Sequence, residues 1–279
     1  MPKNLVITGA SGFIGKNIRD FFSKDGSFVV WSVSRFDDHS SIRNIIENNN
    51  LKEVCVVLNG WGGVHSSSKN DSELQSRSLE EFMEQVSESV SCKPDVIIGF
   101  GSQAEYSELG DTSDIQSISY ASAKRAARSF LLEESNNAGV RSHWLRLFSI
   151  YGPGMDGRWT LPSLIRHAES GQQLQLGACK QLWGFLHVMD LCRALKLIVT
   201  NSQSIGFDVD VGFPAQKPLR ETLTDVENIL QKQVLKFSTL NDNQADSVPD
   251  LSTLHQLGWQ PQVSLECGVK ELIQHYAKS

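Results

Sequence analysis

Three residues have the types and spacing expected of an acid–base site: Ser102, Tyr120 and Lys124. Tyr120 and Lys124 are separated by one turn of a helix, so both side chains would lie on one face. A free tyrosine has a pKa of about 10, and a nearby ammonium stabilises the phenolate and lowers that pKa. Such a tyrosine can exchange a proton with a substrate oxygen, and Ser102 can hydrogen-bond the same oxygen. We predict that these three residues are catalytic, although ordinary helices also carry the Tyr–Lys spacing.

A glycine-rich loop near the start of the chain is the second candidate feature, with the sequence Thr-Gly-Ala-Ser-Gly-Phe-Ile-Gly over residues 8–15. It follows a short apolar run and opens a stretch with helical spacing, which is the context of a dinucleotide-binding loop. Its glycines permit a tight turn, close approach to a pyrophosphate and close packing of helix on strand. A plain strand–helix turn is the alternative. The predicted cofactor-binding residues are Gly9, Ser11, Gly12, Phe13, Ile14 and Gly15, with Tyr120 and Lys124.

The end of the second predicted strand bears on which cofactor is bound. An acidic residue at this point would bind the adenosine ribose 2′-hydroxyl and favour NAD. The chain has Ser34 and Arg35 there instead, a pair that suits a 2′-phosphate and favours NADP(H) over NAD(H). The alternative is that Arg35 is a solvated loop residue and that Asp37 or Asp38 supplies the acid.

The elements that must position these residues alternate between β-type runs and helical stretches over the first 150 residues. Strands are predicted over residues 5–8, 28–33, 54–58, 95–100 and 141–150, and helices over about 12–24, 72–90 and 120–136. This alternation predicts an α/β, Rossmann-type, doubly wound parallel sheet with helices on both faces. Ligands of such sheets bind beyond the carboxyl ends of the strands, where Ser102 follows the fourth predicted strand.

The spacing becomes less regular after residues 151–154. Short strands are predicted over 174–176 and 185–188, and helices over 188–200, 219–232 and 264–278, with a polar loop over 239–250. We therefore predict a dinucleotide-binding Rossmann domain over residues 1–150. Residues 151–279 are predicted to form a smaller, mixed and mainly substrate-binding part.

Composition and charge argue against several classes of protein. The chain has 279 residues and a formal net charge of −6, whereas nucleic-acid binding usually needs a basic face. It has no apolar run of transmembrane length and no secretory signal pattern, so we expect a cytoplasmic protein with no membrane partner. Its five cysteines are scattered, which predicts reduced thiols and no metal site.

Taken together, these motifs resemble the extended short-chain dehydrogenases/reductases, in the NAD-dependent epimerase/dehydratase family of nucleotide-sugar enzymes. The resemblance includes the glycine loop and the segments 101–106, 120–124, 145–153, 185–190 and 249–261. It implies that Ser102, Tyr120 and Lys124 are catalytic and that Lys124 also holds the nicotinamide ribose. It further implies a nucleotide-sugar substrate and a homodimer.

One departure from the family pattern narrows the implied reaction. Family 4,6-dehydratases carry an Asp-Glu pair directly after the catalytic Ser or Thr, and Gln103 and Ala104 stand in its place here. Neither can transfer a proton as a carboxylate does. Glu105 is the one nearby acid, and strand alternation would bring it to the face of Gln103. The segment as a whole resembles that of 4-keto-6-deoxy-sugar reductases.

A second departure concerns recognition of the nucleotide diphosphate. The chain has Trp183-Gly184-Phe185 where many family members have Arg-Asp-Phe, whose arginine clamps the diphosphate. Trp183 could stack on a base or a sugar, or it could fill the core. Arg158 could replace the missing clamp, or it could be solvated. His187 is predicted to be structural. The predicted substrate-binding residues are Gln103, Ser149, Arg158 and Trp183.

Three functions are compatible with these residues. The leading hypothesis is a reductase that transfers hydride from NADPH to a nucleotide-linked 4-keto-6-deoxyhexose. The alternative is an NDP-sugar epimerase that uses the same three residues with tightly bound NAD. The third is a non-catalytic nucleotide-sensing protein, an alternative that stays open because fold alone does not fix function. Retention of Ser102, Tyr120 and Lys124 argues against it, since a sensor has no need of a proton donor.

Overall fold

The computed structural model describes residues 2–34, 41–62, 71–106, 119–240 and 245–277. Its main element is a six-stranded sheet of β1 (Lys3–Ile7), β2 (Phe28–Ser32), β3 (Val54–Leu58), β4 (Val96–Ser102), β5 (Ser142–Leu147) and β9 (Asp208–Val211). The strand order in this sheet is β2-β1-β3-β4-β5-β9. Pairing from β2 through β5 is parallel. The predicted α/β class with a parallel, Rossmann-type sheet is confirmed.

Helices alternate with these strands along the first half of the chain. They are α1 (Phe13–Phe22), α2 (Ile42–Asn48), α3 (Ser72–Ser91) and α4 (Tyr120–Ala138). All five residues of β3 are buried, as expected for a central parallel strand covered on both faces. The core beneath α3 and α4 includes Phe82, Leu131 and Trp144. Helix α4 ends at Gly139, whose φ of 66° places it in the left-handed region that glycine favours.

The predicted strand over residues 141–150 is wrong beyond Leu147. Ser149 has a φ of 44°, a left-handed conformation that breaks the extended run. The chain resumes in β6 (Ile150–Tyr151), which pairs with β8 (Leu186–His187), while β7 (Leu174–Leu176) pairs with β10 (Leu235–Phe237). The remaining helices in the described ranges are α5 (Thr160–Ser170), α6 (Val188–Thr200), α7 (Leu219–Leu230), α8 (Ser252–Gln256) and α9 (Leu265–Tyr276).

Contacts divide the chain into two compact units, and each unit is built from two segments. The first comprises Met1–Leu147 and Leu195–Val209, and the second comprises Phe148–Ala194 and Asp210–Ser279. The first unit therefore takes up a segment from the second half of the sequence. The division into domains at residue 150, and the substrate-binding role of the later residues, stay predictions.

A buried aspartate organises part of the second unit. The Asp190 carboxylate accepts hydrogen bonds from the backbone N–H groups of Gln262 and Val263, at 3.0 and 2.9 Å, and from Arg193. The Trp259 indole donates to the Asp190 backbone carbonyl at 3.2 Å. These bonds connect the end of segment 185–190 to the chain over residues 259–263.

His187 is buried on β8 in the same unit. Its Nε2 lies 3.3 Å from a carboxylate oxygen of Glu271, and its Nδ1 lies 3.4 Å from the backbone nitrogen of Met189. Burial lowers the pKa of this imidazole, while the Glu271 carboxylate acts in the opposite direction. The structural role of His187 stays a prediction that these contacts support.

None of the helices in the described part of the chain has the length and apolar character needed to cross a bilayer. The same part of the chain holds no cluster of three or more His, Cys, Asp or Glu residues suited to a metal ion. All five cysteines are free thiols, and Cys55, Cys179 and Cys192 are buried.

Candidate active site

Two glycines of the loop after β1 are required by backbone contacts. Gly9 has a φ of 62°, and a Cβ placed on it would lie 3.0 Å from the carbonyl oxygen of Asn59. A Cβ on Gly15 would lie only 2.2 Å from the carbonyl oxygen of Gly9. Asn59, directly after β3, donates from its side chain to the same Gly9 oxygen at 3.2 Å. The turn is therefore packed tightly against the end of the neighbouring strand.

Gly12 has a different role, because a Cβ there would meet nothing closer than 3.5 Å. It precedes α1 as an N-cap without a side chain, so the first N–H groups of the helix have no side-chain cap from this position. Ser11 and Gly12 are exposed, whereas Phe13 and Ile14 are half-buried. A helix that begins without a side-chain cap, directly after a glycine, leaves backbone N–H groups open to the pyrophosphate of a dinucleotide.

The residues predicted to choose the cofactor lie just beyond β2. Ser34 is exposed, and the preceding Val33 N–H donates to the Ile7 carbonyl of β1 at 2.9 Å. Arg35, like the alternative acids Asp37 and Asp38, lies outside the described residues. The preference for NADP(H) therefore stays a prediction.

Ser102 and Tyr120 are brought together by the end of β4 and the start of α4. The Ser102 side chain is close enough to act on the pKa of Tyr120, and Ser102 Oγ accepts from the Ala104 N–H at 3.2 Å. Burial raises the pKa of Tyr120 to about 12, although the Ser102 side chain acts to lower it. Tyr120 is therefore a neutral phenol throughout the neutral pH range.

Lys124 is buried one turn along α4. Its Nζ donates to the Phe100 carbonyl at 2.8 Å and lies 3.7 Å from the centre of a Trp61 ring. The ring centre of Tyr120 is farther away, at 5.9 Å. Burial lowers the pKa of Lys124 to about 7, so this side chain is only partly protonated near neutrality.

The sequence predicted that the Lys124 ammonium would lower the pKa of Tyr120. In the structure the pKa of Tyr120 is raised instead, because burial of the phenol outweighs the other influences. Nζ makes its hydrogen bond to the end of β4, and its closest aromatic contact is Trp61 rather than Tyr120.

Glu105 lies on a short 3₁₀ helix, Gln103–Tyr106, rather than on a continuation of β4. The assumption that strand alternation brings it to the face of Gln103 is therefore wrong. Its carboxylate is buried and accepts from the Ser102 N–H at 2.7 Å, from Trp144 Nε1 at 3.0 Å and from Arg146 Nε at 3.2 Å. These contacts make the carboxylate a structural acceptor.

The predicted substrate-binding residues fall in both units. Gln103 is half-buried beside Ser102, in the first unit. The other three belong to the second unit. The Ser149 carbonyl accepts from a backbone N–H of β8, and the backbone of the half-buried Trp183 forms an isolated β-bridge with Ser247. Arg158 is exposed and forms an ion pair with Asp156 at 2.6 Å. The roles of all four residues stay predictions.

Sequence reasoning missed two residues of this site, Asn59 and Trp61. Asn59 follows β3 directly and Trp61 lies two residues further on, at the carboxyl edge of the sheet where ligands of such folds bind. Trp61 contacts Lys124, lies edge-on to Tyr120 at 6.5 Å between ring centres, and donates from Nε1 to Gln75 at 3.1 Å. A polar and an aromatic residue at a strand end were the available signal.

Comparisons with known proteins identify a matching family and relatives of low sequence identity. Residues 5–212 match the family model described as the NAD-dependent epimerase/dehydratase family. The chain is 26% identical over 164 residues to UDP-glucuronic acid decarboxylase 1 of Arabidopsis thaliana, covering 56% of this chain and 37% of that protein. It thus spans less than half the length of the decarboxylase. It is 21% identical over 300 residues to CDP-abequose synthase of Salmonella muenchen, covering 97% of each.

Solved structures share the fold at low sequence identity. A UDP-N-acetylglucosamine 4-epimerase from Methanobrevibacter ruminantium M1, in complex with UDP-N-acetylmuramic acid, superposes with a TM-score of 0.81 and 16% identity over 99% of both chains. RMD from Pseudomonas aeruginosa, complexed with NADPH, gives a TM-score of 0.77 and 18% identity over 99% of both chains. At these identities the likeness supports the architecture alone.

Proposed function

The chain belongs to the NAD-dependent epimerase/dehydratase family, and from this premise we propose that it reduces the C4 carbonyl of a nucleotide-linked 4-keto-6-deoxyhexose. The observation that carries the proposal is the state of Tyr120. Its phenol is buried, burial raises its pKa, and Ser102 at the carboxyl end of β4 is the side chain that acts on it in the opposite direction. A protonated acid beside a hydroxyl is the arrangement that reduction of a carbonyl needs.

Each residue of the site has a part in this reaction. The loop from Gly9 to Gly15 holds the dinucleotide, which when bound supplies hydride to the carbonyl carbon. Ser102 hydrogen-bonds the carbonyl oxygen and polarises it. Tyr120 donates its proton to the same oxygen as negative charge develops there. Burial lowers the pKa of Lys124 to about 7, and in this proposal its side chain holds a ribose hydroxyl of the cofactor.

The segment after Ser102 argues against dehydration. Removing the C5 proton and the C6 hydroxyl of a hexose requires carboxyl groups that face the sugar. Gln103 and Ala104 have none, and within residues 103–106 the single carboxylate, that of Glu105, accepts from three protein donors. Its geometry therefore supports positioning rather than proton transfer.

The second candidate is an NDP-sugar epimerase, because the family model and the same three residues are compatible with it. Epimerisation begins by removing a proton from a sugar hydroxyl, a step that needs the phenolate form of the tyrosine. The raised pKa of Tyr120 disfavours the phenolate at neutral pH.

We expect the protein to oxidise NADPH stoichiometrically when it is given the correct member of a panel of NDP-4-keto-6-deoxyhexoses. Absorbance at the NADPH band and mass spectrometry of the sugar nucleotide would follow the reaction. An epimerase would instead copurify with NAD and interconvert NDP-sugars without net NADPH use. Conversion of a plain NDP-hexose to its 4-keto-6-deoxy product, stopped by Glu105→Gln, would contradict our interpretation of this segment.

We also propose that the cofactor is NADP(H), through Ser34 and Arg35. Fluorescence titration should show tighter binding of NADPH than of NADH, and Arg35→Ala should narrow or reverse the difference. A charge-assisted contact to the 2′-phosphate contributes roughly 1.5–3 kcal/mol. Arg43→Ala is the matched control, because that arginine donates to Ser91 on α3 instead. Equal affinities of the unmodified protein for the two cofactors would refute the choice.

Two coarser features are proposed with the activity. Residues 151–279 supply most substrate contacts, including those of Arg158 and Trp183, and Ser149 and Gln103 supply others. The protein acts as a homodimer, as the resemblance implies. Light scattering coupled to size-exclusion chromatography measures the oligomeric state directly.

A further inference from the structure

We propose that Glu105 is a positioning residue that fixes the backbone of Ser102, and through it the contact between Ser102 and Tyr120. The proposal concerns the same site as the proposed reductase activity and rests on that function for its catalytic consequence. The structural part of the proposal is independent of the substrate.

The contacts of Glu105 are directed at the catalytic serine. Its side chain is 3% exposed, and one carboxylate oxygen accepts from the Ser102 N–H at 2.7 Å. Both oxygens also lie within 3.0–3.1 Å of Trp144 Nε1. A hydrogen bond from a backbone N–H to a charged acceptor is stronger than a neutral one. The bond holds the last residue of β4 at the point where the strand gives way to the 3₁₀ helix.

Gly101 shows that the end of the strand is shaped around this carboxylate. A Cβ on Gly101 would lie 2.4 Å from Glu105 Oε1 and 2.3 Å from Trp144 Nε1. The Glu105 carboxylate therefore occupies the space that a side chain at position 101 would need. A buried carboxylate is costly unless hydrogen bonds compensate it, and here Ser102, Trp144 and Arg146 supply them.

Further bonds connect Glu105 to other elements of the first unit. Its backbone carbonyl accepts from Arg125 of α4 at 2.8 Å. Its carboxylate pairs with Arg146 of β5, which also donates to Asp208 of β9 at 2.9 Å. Asp208 in turn accepts from Arg128 of α4 at 2.7 Å. Ser102 is therefore held by a residue that is itself attached to α4 and β5.

The charge of Glu105 also acts on the two titratable catalytic residues. It raises the pKa of Lys124 against the effect of burial, and it raises the pKa of Tyr120 together with burial. Among the described residues, Glu105 is the charged group that acts on Lys124. Arg146 faces the carboxylate from β5. Removing the negative charge should therefore make Lys124 easier to deprotonate.

Glu105→Gln tests the proposal with two independent measurements. We expect kcat to fall by up to about 100-fold with little change in KM, because a small displacement of a catalytic group has an effect of this size. The emission of Trp61, whose ring lies 3.7 Å from Lys124 Nζ, should titrate near neutral pH in the unmodified protein. The midpoint should shift to lower pH by on the order of one unit in the variant. Trp61→Phe and Lys124→Met should each remove this pH-dependent change in emission, which would assign it to Trp61 and Lys124.

Asp208→Asn is the matched control. It removes the other carboxylate partner of Arg146 but no contact to Ser102, so kcat and the midpoint should stay near their original values. If Glu105→Gln does not fold, the double variant Glu105→Met with Arg146→Met removes both charges and should show the same two changes.

The titration separates failure of this proposal from failure of the proposed reaction. A shifted midpoint in a protein without reductase activity would contradict the reaction and support the charge effect of Glu105. A kcat within twofold of the original with an unshifted midpoint would overturn the proposal. Equal losses in Asp208→Asn and Glu105→Gln would also overturn it, because the effect would then come from the arginine pairs.

Discussion

Replacing Tyr120 by phenylalanine is expected to lower kcat by about 10²–10⁴-fold, the usual contribution of a general acid. The aromatic ring remains in its packed position edge-on to Trp61, so the fold and cofactor affinity should change little. What disappears is the proton that a buried phenol with a pKa of about 12 keeps at every pH used for assays. The measurement is steady-state NADPH oxidation, which gives kcat, with cofactor affinity followed by fluorescence.

Tyr276→Phe provides a control for loss of a tyrosine hydroxyl. The Tyr276 hydroxyl donates to the Met155 carbonyl at 2.7 Å and belongs to the second unit. Its removal should leave kcat within about threefold of the original, because a single neutral hydrogen bond contributes only about 1 kcal/mol to stability. A Tyr120→Phe variant that turns over as fast as this control would remove the basis for assigning Tyr120 as the proton donor.

Gly101→Ala is expected to be among the most destabilising single-methyl additions in the first unit. The new Cβ would lie 2.3 Å from Trp144 Nε1 and 2.4 Å from Glu105 Oε1, and both groups are buried. Overpacking of this kind costs roughly 1–3 kcal/mol of unfolding free energy. Activity should fall as well, because the displaced groups hold Ser102. Thermal unfolding and kcat measured on the same sample would give both effects.

Gly26→Ala adds the same methyl group at a position where a Cβ would meet nothing within 4 Å. This control should leave the melting temperature nearly unchanged. If Gly101→Ala has the same melting temperature as this control, β4 and Trp144 move apart easily. The close fit around the Glu105 carboxylate would then contribute nothing measurable to the free energy of unfolding.

The alternation of strands and helices predicted the sheet because local pattern and global fold agree there. β3 is apolar at every position, and its bounds match the predicted 54–58. The glycine loop and the helix that begins at Tyr120 were also predictable, since each is specified by adjacent residues. Helix α2 was missed because it is short and lies between two polar stretches.

The failures near the site have a different physical origin. The path of residues 103–106 depends on Glu105 meeting donors from Trp144 and Arg146, which are distant in sequence. The pKa of Lys124 depends on burial beside Trp61, another distant residue. The sequence pattern assumed that the strand continues through residues 103–106 and that the Lys124 ammonium is exposed. Neither assumption takes account of contacts between residues distant in sequence.

The strand order has a consequence for synthesis of the chain on the ribosome. In the sheet β5 is bordered by β9. The backbone N–H of Trp144 on β5 donates to the carbonyl of Phe207, the residue just before β9, at 2.7 Å. Until residues 148–211 have been translated, the nascent sheet therefore ends in an uncovered row of backbone groups on β5. Such an edge recruits other strands and promotes aggregation. A chain truncated at residue 150 would keep that edge permanently, so fragments intended for separate expression should include β9.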